Sequence, residues 1–110
     1  MARDHGLEEL ILDDIGGMPG LTSKPMFGGL AWLLDGHLLC GARDVGMMVR
    51  LGKGNDGWAL ERDDIEPMIM SGKRMPGWVR AGPDACGDDA LRRRLIDAAV
   101  AFVGTLPPKA

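Results

Sequence analysis

Tyrosine is absent from this chain, and its 110 residues include only two Phe and three Trp. Proteins that hold single-stranded nucleic acid stack bases on exposed aromatic rings. Trp32 and Trp78, set among apolar neighbours, read instead as buried. A basic excess is missing too. The net charge is −3, so the electrostatic footprint of a general nucleic-acid binder is not there, and nucleic acid is not expected as a partner of the isolated chain. Cysteine is scarce: Cys40 and Cys86 alone cannot build a disulfide framework or a closed zinc site. Met1 is followed by the charged residues Arg3, Asp4, Glu8 and Glu9 rather than by a signal-peptide core. No apolar run nears the roughly 20 residues that span a bilayer. These absences lead to the expectation of a cytoplasmic protein with reduced thiols and no membrane partner.

A catalytic constellation is also lacking. His37 and Cys40 lie three apart on one extended segment, and odd separations on a strand point to opposite faces, which separates a base from its nucleophile. Gly52-Lys53-Gly54-Asn55-Asp56-Gly57 matches G-x-G-x-x-G. A dinucleotide site needs that loop inside a β-α-β unit with an acidic residue about 20 positions on. Here the next helix is short and Lys73 and Arg74 stand near that distance, so the motif reads as a surface loop. Asp63, Asp64 and Glu66 lack the ligand spacing of a calcium loop and read as a solvated turn. Arg92, Arg93 and Arg94 follow one another on a helix and so diverge by about 100° each, which reads as a solvated face. Arg43, Arg50 and Arg80 form a modest basic patch only if their strands bring them to one face. No catalytic, cofactor-binding or metal-binding residue is assigned, and no cofactor is expected.

Glycine and proline are plentiful, with 17 and seven residues, and they fall between apolar runs as turn markers. Leu7, Leu10, Ile11 and Ile15 recur at helical spacing up to Gly16-Gly17. Residues 23–34 read as one bent strand or two short ones, kinked at Gly28-Gly29. Asp35-Gly36 is a strong hairpin signal, because a type I′ turn needs positive φ at both central residues. Strands are expected over 37–43 and 47–51, then a loop over 52–57 and a short helix from Trp58 to Arg62. A strand over 68–70, a turn at Ser71-Gly72 and a strand over 74–81 follow, with Pro76 marking an edge or a bulge. Residues 82–87 read as a loop. The last helix, capped by Asp88 or Asp89, carries an apolar stripe of Leu91, Leu95, Ala98, Ala99, Phe102 and Val103. Arg92, Arg93, Arg94 and Asp97 are expected to face outward. From Thr105 the chain reads as a mobile tail.

The order α-β-β-β-α-β-β-α with hairpin-length links predicts a single α+β domain over 1–110, two-layered, with a mostly antiparallel sheet. One stretch conflicts with a sheet covered on one face only. Leu30-Ala31-Trp32-Leu33-Leu34 is apolar on both alternating faces. Either helices cover both sides there, or a partner does. Together with seven internal methionines, a residue type favoured at adaptable binding surfaces, this leads to the expectation of a homodimer through an apolar sheet face or edge.

Met26-Phe27-Gly28-Gly29 before the Asp35-Gly36 hairpin, the strand Met47–Leu51, and Gly72-Lys73-Arg74-Met75-Pro76-Gly77-Trp78-Val79 together resemble the N-terminal domain of the TfoX/Sxy family. The resemblance runs from about Gly20 to Pro108 and Lys109. It implies an α+β fold similar to secretion chaperones and supplies no catalytic residues. Long family members regulate natural competence and carry a second, C-terminal domain, so this chain is read as a stand-alone short member. The signature positions Met26, Phe27, Gly28, Gly29, Asp35, Gly36, Lys73, Met75, Pro76, Gly77 and Trp78 are expected to serve structure or interaction. The leading expectation is a non-enzymatic regulatory or protein-interaction module, linked to transcription or competence regulation. Direct nucleic-acid binding through the small basic patch is the alternative, and a small-molecule-binding or enzymatic domain comes third.

Overall fold

A computed structural model describes residues 4–26 and 28–107. The chain runs α1 (His5–Ile15), β1 (Leu21–Met26), β2 (Gly29–Leu34), β3 (His37–Arg43), β4 (Gly46–Arg50), α2 (Gly57–Leu60), β5 (Ile65–Met70), β6 (Lys73–Ala81), α3 (Pro83–Gly87) and α4 (Asp89–Val103). The six strands form one open antiparallel sheet in the order β1-β2-β3-β4-β6-β5. The expected α+β class with an antiparallel sheet holds. Two elements differ from expectation. The stretch 23–34 does hold two short strands rather than one bent strand, but they are not kinked at Gly28-Gly29: Met26 pairs with Gly29, so the chain reverses there into a full hairpin. Residues 82–87 are not a loop, because Pro83 begins α3 and the Asp64 carboxylate accepts from the Asp84 and Ala85 N–H groups at its start.

Turn chemistry explains the meander. Asp35 (φ 51°) and Gly36 (φ 84°) close the hairpin between Leu34 and His37, as two positive-φ residues must. Ser71 (φ 52°) and Gly72 (φ 77°) do the same between Met70 and Lys73. Pro76 marks a bulge rather than an edge, since β6 lies between β4 and β5. The β5–β6 register runs from Pro67↔Val79 to Ile69↔Arg74, so the β6 residues 75–78 face Met68 alone. The true edges are β1 and β5, and each carries a proline, Pro25 and Pro67.

One core gathers Leu7, Ile11 and Ile15 of α1, Leu95, Ile96, Ala99 and Val103 of α4, and Trp32, Met47, Val49 and Val79 of the sheet. Leu10, expected in the α1 stripe, sits at the rim, and Leu12 on the same helix is exposed. The two-sided apolar pattern of β2 and β3 has two causes. First, Trp32 pairs with Cys40 and Leu33 with Leu38, leaving Leu39 as an extra residue, so that Leu39 and Cys40 both join the core. Second, Ala31, Met48 and Met68 are buried outside that core, at 1%, 5% and 8% exposure. They meet Leu38, Gly41 and Trp78 around a space of only about 10 Å³. The face away from the helices is thus covered in part by the sheet's own β5 and β6, not by helices.

Arg92 corrects the reading of α4. It does not face outward but is 2% exposed. It occupies the first position of the stripe Arg92, Ile96, Ala99, Val103. Its Nε donates to Asp14 (2.8 Å), and its Nη1 donates to the Cys86 carbonyl and to Asp89 (2.8 Å each). Arg93 also donates to Asp14 (3.2 Å), so two of the three arginines converge after all. Burial opposes the Arg92 charge, but the bonds from Asp14 and Asp89 outweigh it and raise its pKa. The C-terminal stretch through Pro107 is tied back: Thr105 and Leu106 donate to the end of α4, and the His37 ring donates to the Pro107 carbonyl.

Two outcomes follow for chemical denaturation. Arg92→Met is expected to destabilise by about 3–5 kcal/mol, because it leaves the buried Asp14 only the exposed Arg93 as a partner, and Asp14→Leu added to it should restore most of the loss. Leu95→Ala, at a fully buried site, should cost about 2–5 kcal/mol. Phe102 is only half-buried, so Phe102→Ala should stay below the ~3–5 kcal/mol of a fully buried ring.

Candidate functional site

The groove that brings the most chemistry together lies on the sheet face spanned by β3, β4, β6 and the edge strand β5. It encloses about 350 Å³ and is lined by Arg43, Val45, Met48, Arg80 and the run from Glu66 to Ser71. Strand register puts Met48 opposite Arg80, and Arg80 opposite Glu66. Cross-strand neighbours share a face, so these side chains stand together. Arg80 donates to Glu66 (2.7 Å) and to the Val45 carbonyl (2.8 Å). Arg43 differs: its Nε is buried and has no hydrogen-bond partner among the described residues. Val45 (44% exposed) and Ile69 (59%) form an apolar rim. Glu66 belongs to strand β5, not to a solvated turn.

The three strand arginines do not make one patch. Arg43 and Arg80 line this groove. Arg50 instead reaches the Leu38 carbonyl at 3.5 Å and lies 5.5 Å from the Phe102 ring centre. The seven methionines divide. Met47 is core, Met48 and Met68 are buried beneath the groove, and Met70 lines it half-exposed.

The signature positions are spread over the fold. Met26, Gly28 and Gly29 sit at the β1–β2 turn, and Phe27 lies outside the described residues. A methyl group on Gly29 would run into the Ala42 carbonyl and the Arg43 side chain, so this glycine lets Arg43 lie close to β2. Asp35 and Gly36 close the opposite end of β2. Lys73 ends the β5–β6 turn, Met75 and Pro76 lie in the bulge, and Trp78 covers Met48 and Met68. Two strands, β3 and β4, separate the two signature segments. Gly77 serves the G-x-G-x-x-G loop: its carbonyl accepts from Leu51 N and Gly52 N at 2.8 and 3.1 Å. A side chain at Gly52 would strike Phe102. This loop is therefore clamped at its first glycine, and the Gly52 N–H that a phosphate would use is taken.

Both thiols are buried. Burial pushes Cys40 up to about 12 and Cys86 to about 11, and the Cys86 Sγ faces the Ala81 carbonyl at 3.2 Å. Among the described residues no group of three or more His, Cys, Asp or Glu side chains could hold a metal. No helix among them is long and apolar enough to cross a membrane.

The profile of the TfoX N-terminal domain matches residues 13–103. The chain belongs to the TfoX N-terminal domain family. No curated protein and no solved structure is significantly similar to it. The TfoX N-terminal domain as matched spans the end of α1, all six strands and the whole of α4, so it includes both signature segments and every residue lining the groove. Arg43 and Met48, which line it, were not among the signature positions. Their sequence signals were the conditional basic patch of Arg43, Arg50 and Arg80 and the surplus of methionine, neither of which locates a groove without the strand order.

The thiols yield an outcome for pH. Unfolded cysteines ionise near 9.0, folded ones at about 12 and 11. The unfolded chain therefore loses protons first, so this contribution is full below pH 9 and falls as pH rises toward 11–12. At pH 8 a thiol reagent should label neither cysteine rapidly in the native protein and both in denaturant. Fast native labelling would refute the buried assignment.

Proposed function

We propose that this TfoX N-terminal domain is a non-catalytic interaction module whose partner is a protein, bound at the groove of Arg43, Met48 and Arg80. The observation that carries this reading is the groove itself: methionine walls, an apolar rim at Val45 and Ile69, and one arginine without a partner for its Nε. Methionine is flexible and polarizable, which suits an adaptable contact surface. The inert thiols and the clamped glycine loop weigh against nucleophilic or nucleotide-dependent chemistry at those positions. The regulatory part, in transcription or competence, draws its support from family membership alone.

The apolar residues that prompted the homodimer expectation find cover within one chain, at the Leu39–Cys40 bulge and under Met68 and Trp78. Prolines in both edge strands oppose edge-to-edge pairing, because proline cannot donate to a ladder. Direct nucleic-acid binding keeps one supporting feature, the shared groove of Arg43 and Arg80. Glu66 offsets one of those charges.

Affinity capture from a native-host extract with the wild-type chain, Val45→Asp and Ile69→Asp tests the reading. Partners lost with both variants are expected, and equal recovery would overturn it. Light scattering at tens of micromolar should report a monomer. A dimer that Ile69→Asp dissociates would place a second copy on this face. Duplex DNA affinity at physiological salt should be no tighter than about micromolar, the non-specific range.

A further inference from the structure

The groove's electrostatics specify its partner more closely. Arg80 is engaged twice, with Glu66 and with the Val45 carbonyl, whereas the buried Arg43 Nε has no acceptor among the described residues. With Glu66 set against Arg80, Arg43 is the one cation among the described residues lining the groove that has no carboxylate set against it there. The Nε itself is out of a partner's reach, but Arg43 as a whole is half-buried and lines the groove, and the two terminal nitrogens of a guanidinium offer parallel N–H groups that fit a carboxylate end-on. Beside Arg43 stand Met48, Met68 and Met70, with Ile69 on the rim.

We propose that Arg43 captures an acidic side chain of a partner protein's segment, while an adjacent apolar side chain of that segment packs against Met70 and Ile69. This rests on the interaction-module reading above. A carboxylate supplies one charge and two acceptor oxygens, matching the two terminal nitrogens of one arginine. A polynucleotide needs a row of cations, and here it would meet the Glu66 carboxylate and the methionine wall. The groove therefore favours an acidic–apolar peptide over a phosphate chain.

The test is an array of short random-sequence peptides probed with the labelled wild-type chain, Arg43→Gln, Ile69→Asp and Ile69→Lys. Bound peptides should be enriched in Asp or Glu beside Leu, Met or Phe. Arg43→Gln should bind them roughly tenfold more weakly or worse, with its fold checked by circular dichroism. Should that variant not fold, the exposed position 69 decides. Aspartate there must weaken the acidic peptides and lysine must not, and the reverse order overturns the proposal. Peptides that bind without acidic enrichment, yet are lost with Ile69→Asp, would leave the module reading standing and refute the carboxylate alone. An array with no wild-type binders would remove both. Displacement of bound peptides by oligothymidylate, with strong salt dependence, would assign the groove to nucleic acid and overturn the proposal.

Discussion

Arg92 and Asp14 form the buried ion pair on which the arrangement of helices depends. Arg92 belongs to α4, Asp14 to α1, and the Cys86 carbonyl that shares Arg92 ends α3. The first and last long helices, 78 residues apart at this contact, are joined by charge as well as by apolar packing. Two charges taken from water repay their desolvation only when geometry is good and the remaining donors are satisfied. Here both Arg92 Nε and Nη1 are occupied, and Asp14 receives a second donor from Arg93. A pair so placed does more than add stability. An apolar stripe on α4 tolerates slippage along the sheet, whereas a buried fork must find its carboxylate, and that fixes how α1 and α4 sit against one another.

Local chemistry was legible wherever it was dictated by short-range rules. Asp35-Gly36 and Ser71-Gly72 need only their own φ values to reverse the chain. The Asp88 cap of α4 and the stop of α1 at Gly16-Gly17 are equally local. Three features escaped because they are set at long range. Arg92 looked solvated by its charge, although its spacing from Ile96, Ala99 and Val103 already placed it on the buried side. The Leu39 bulge has no residue signature of its own, and it moves two neighbours to one face. The reversal at 26–29 read as a kink, because β1 is short and mostly exposed and has little apolar alternation to declare it a strand.

The candidate site was less legible than the fold. The glycines and the tryptophan of the signature turn out to shape the scaffold. Gly29 makes room for Arg43, Gly77 clamps the loop at Gly52, and Trp78 shields Met48. The lining of the candidate groove comes mostly from other positions, brought together by the 75–78 bulge and the register of β4 against β6. Motif positions here are supports, and the groove residues they support carry no motif.

Proline at both rims of the sheet has a consequence for how such a domain changes partners. Strand addition reads backbone, which every sequence shares, and so discriminates poorly between segments of similar shape. With Pro25 and Pro67 opposing that route, the proposed recognition would fall on side chains of the face, each replaceable without disturbing the ladder beneath. A few substitutions around Arg43 and Ile69 would then retarget the domain while α1, α4 and their buried ion pair stay as they are. The scaffold and its specificity are free to evolve at different speeds.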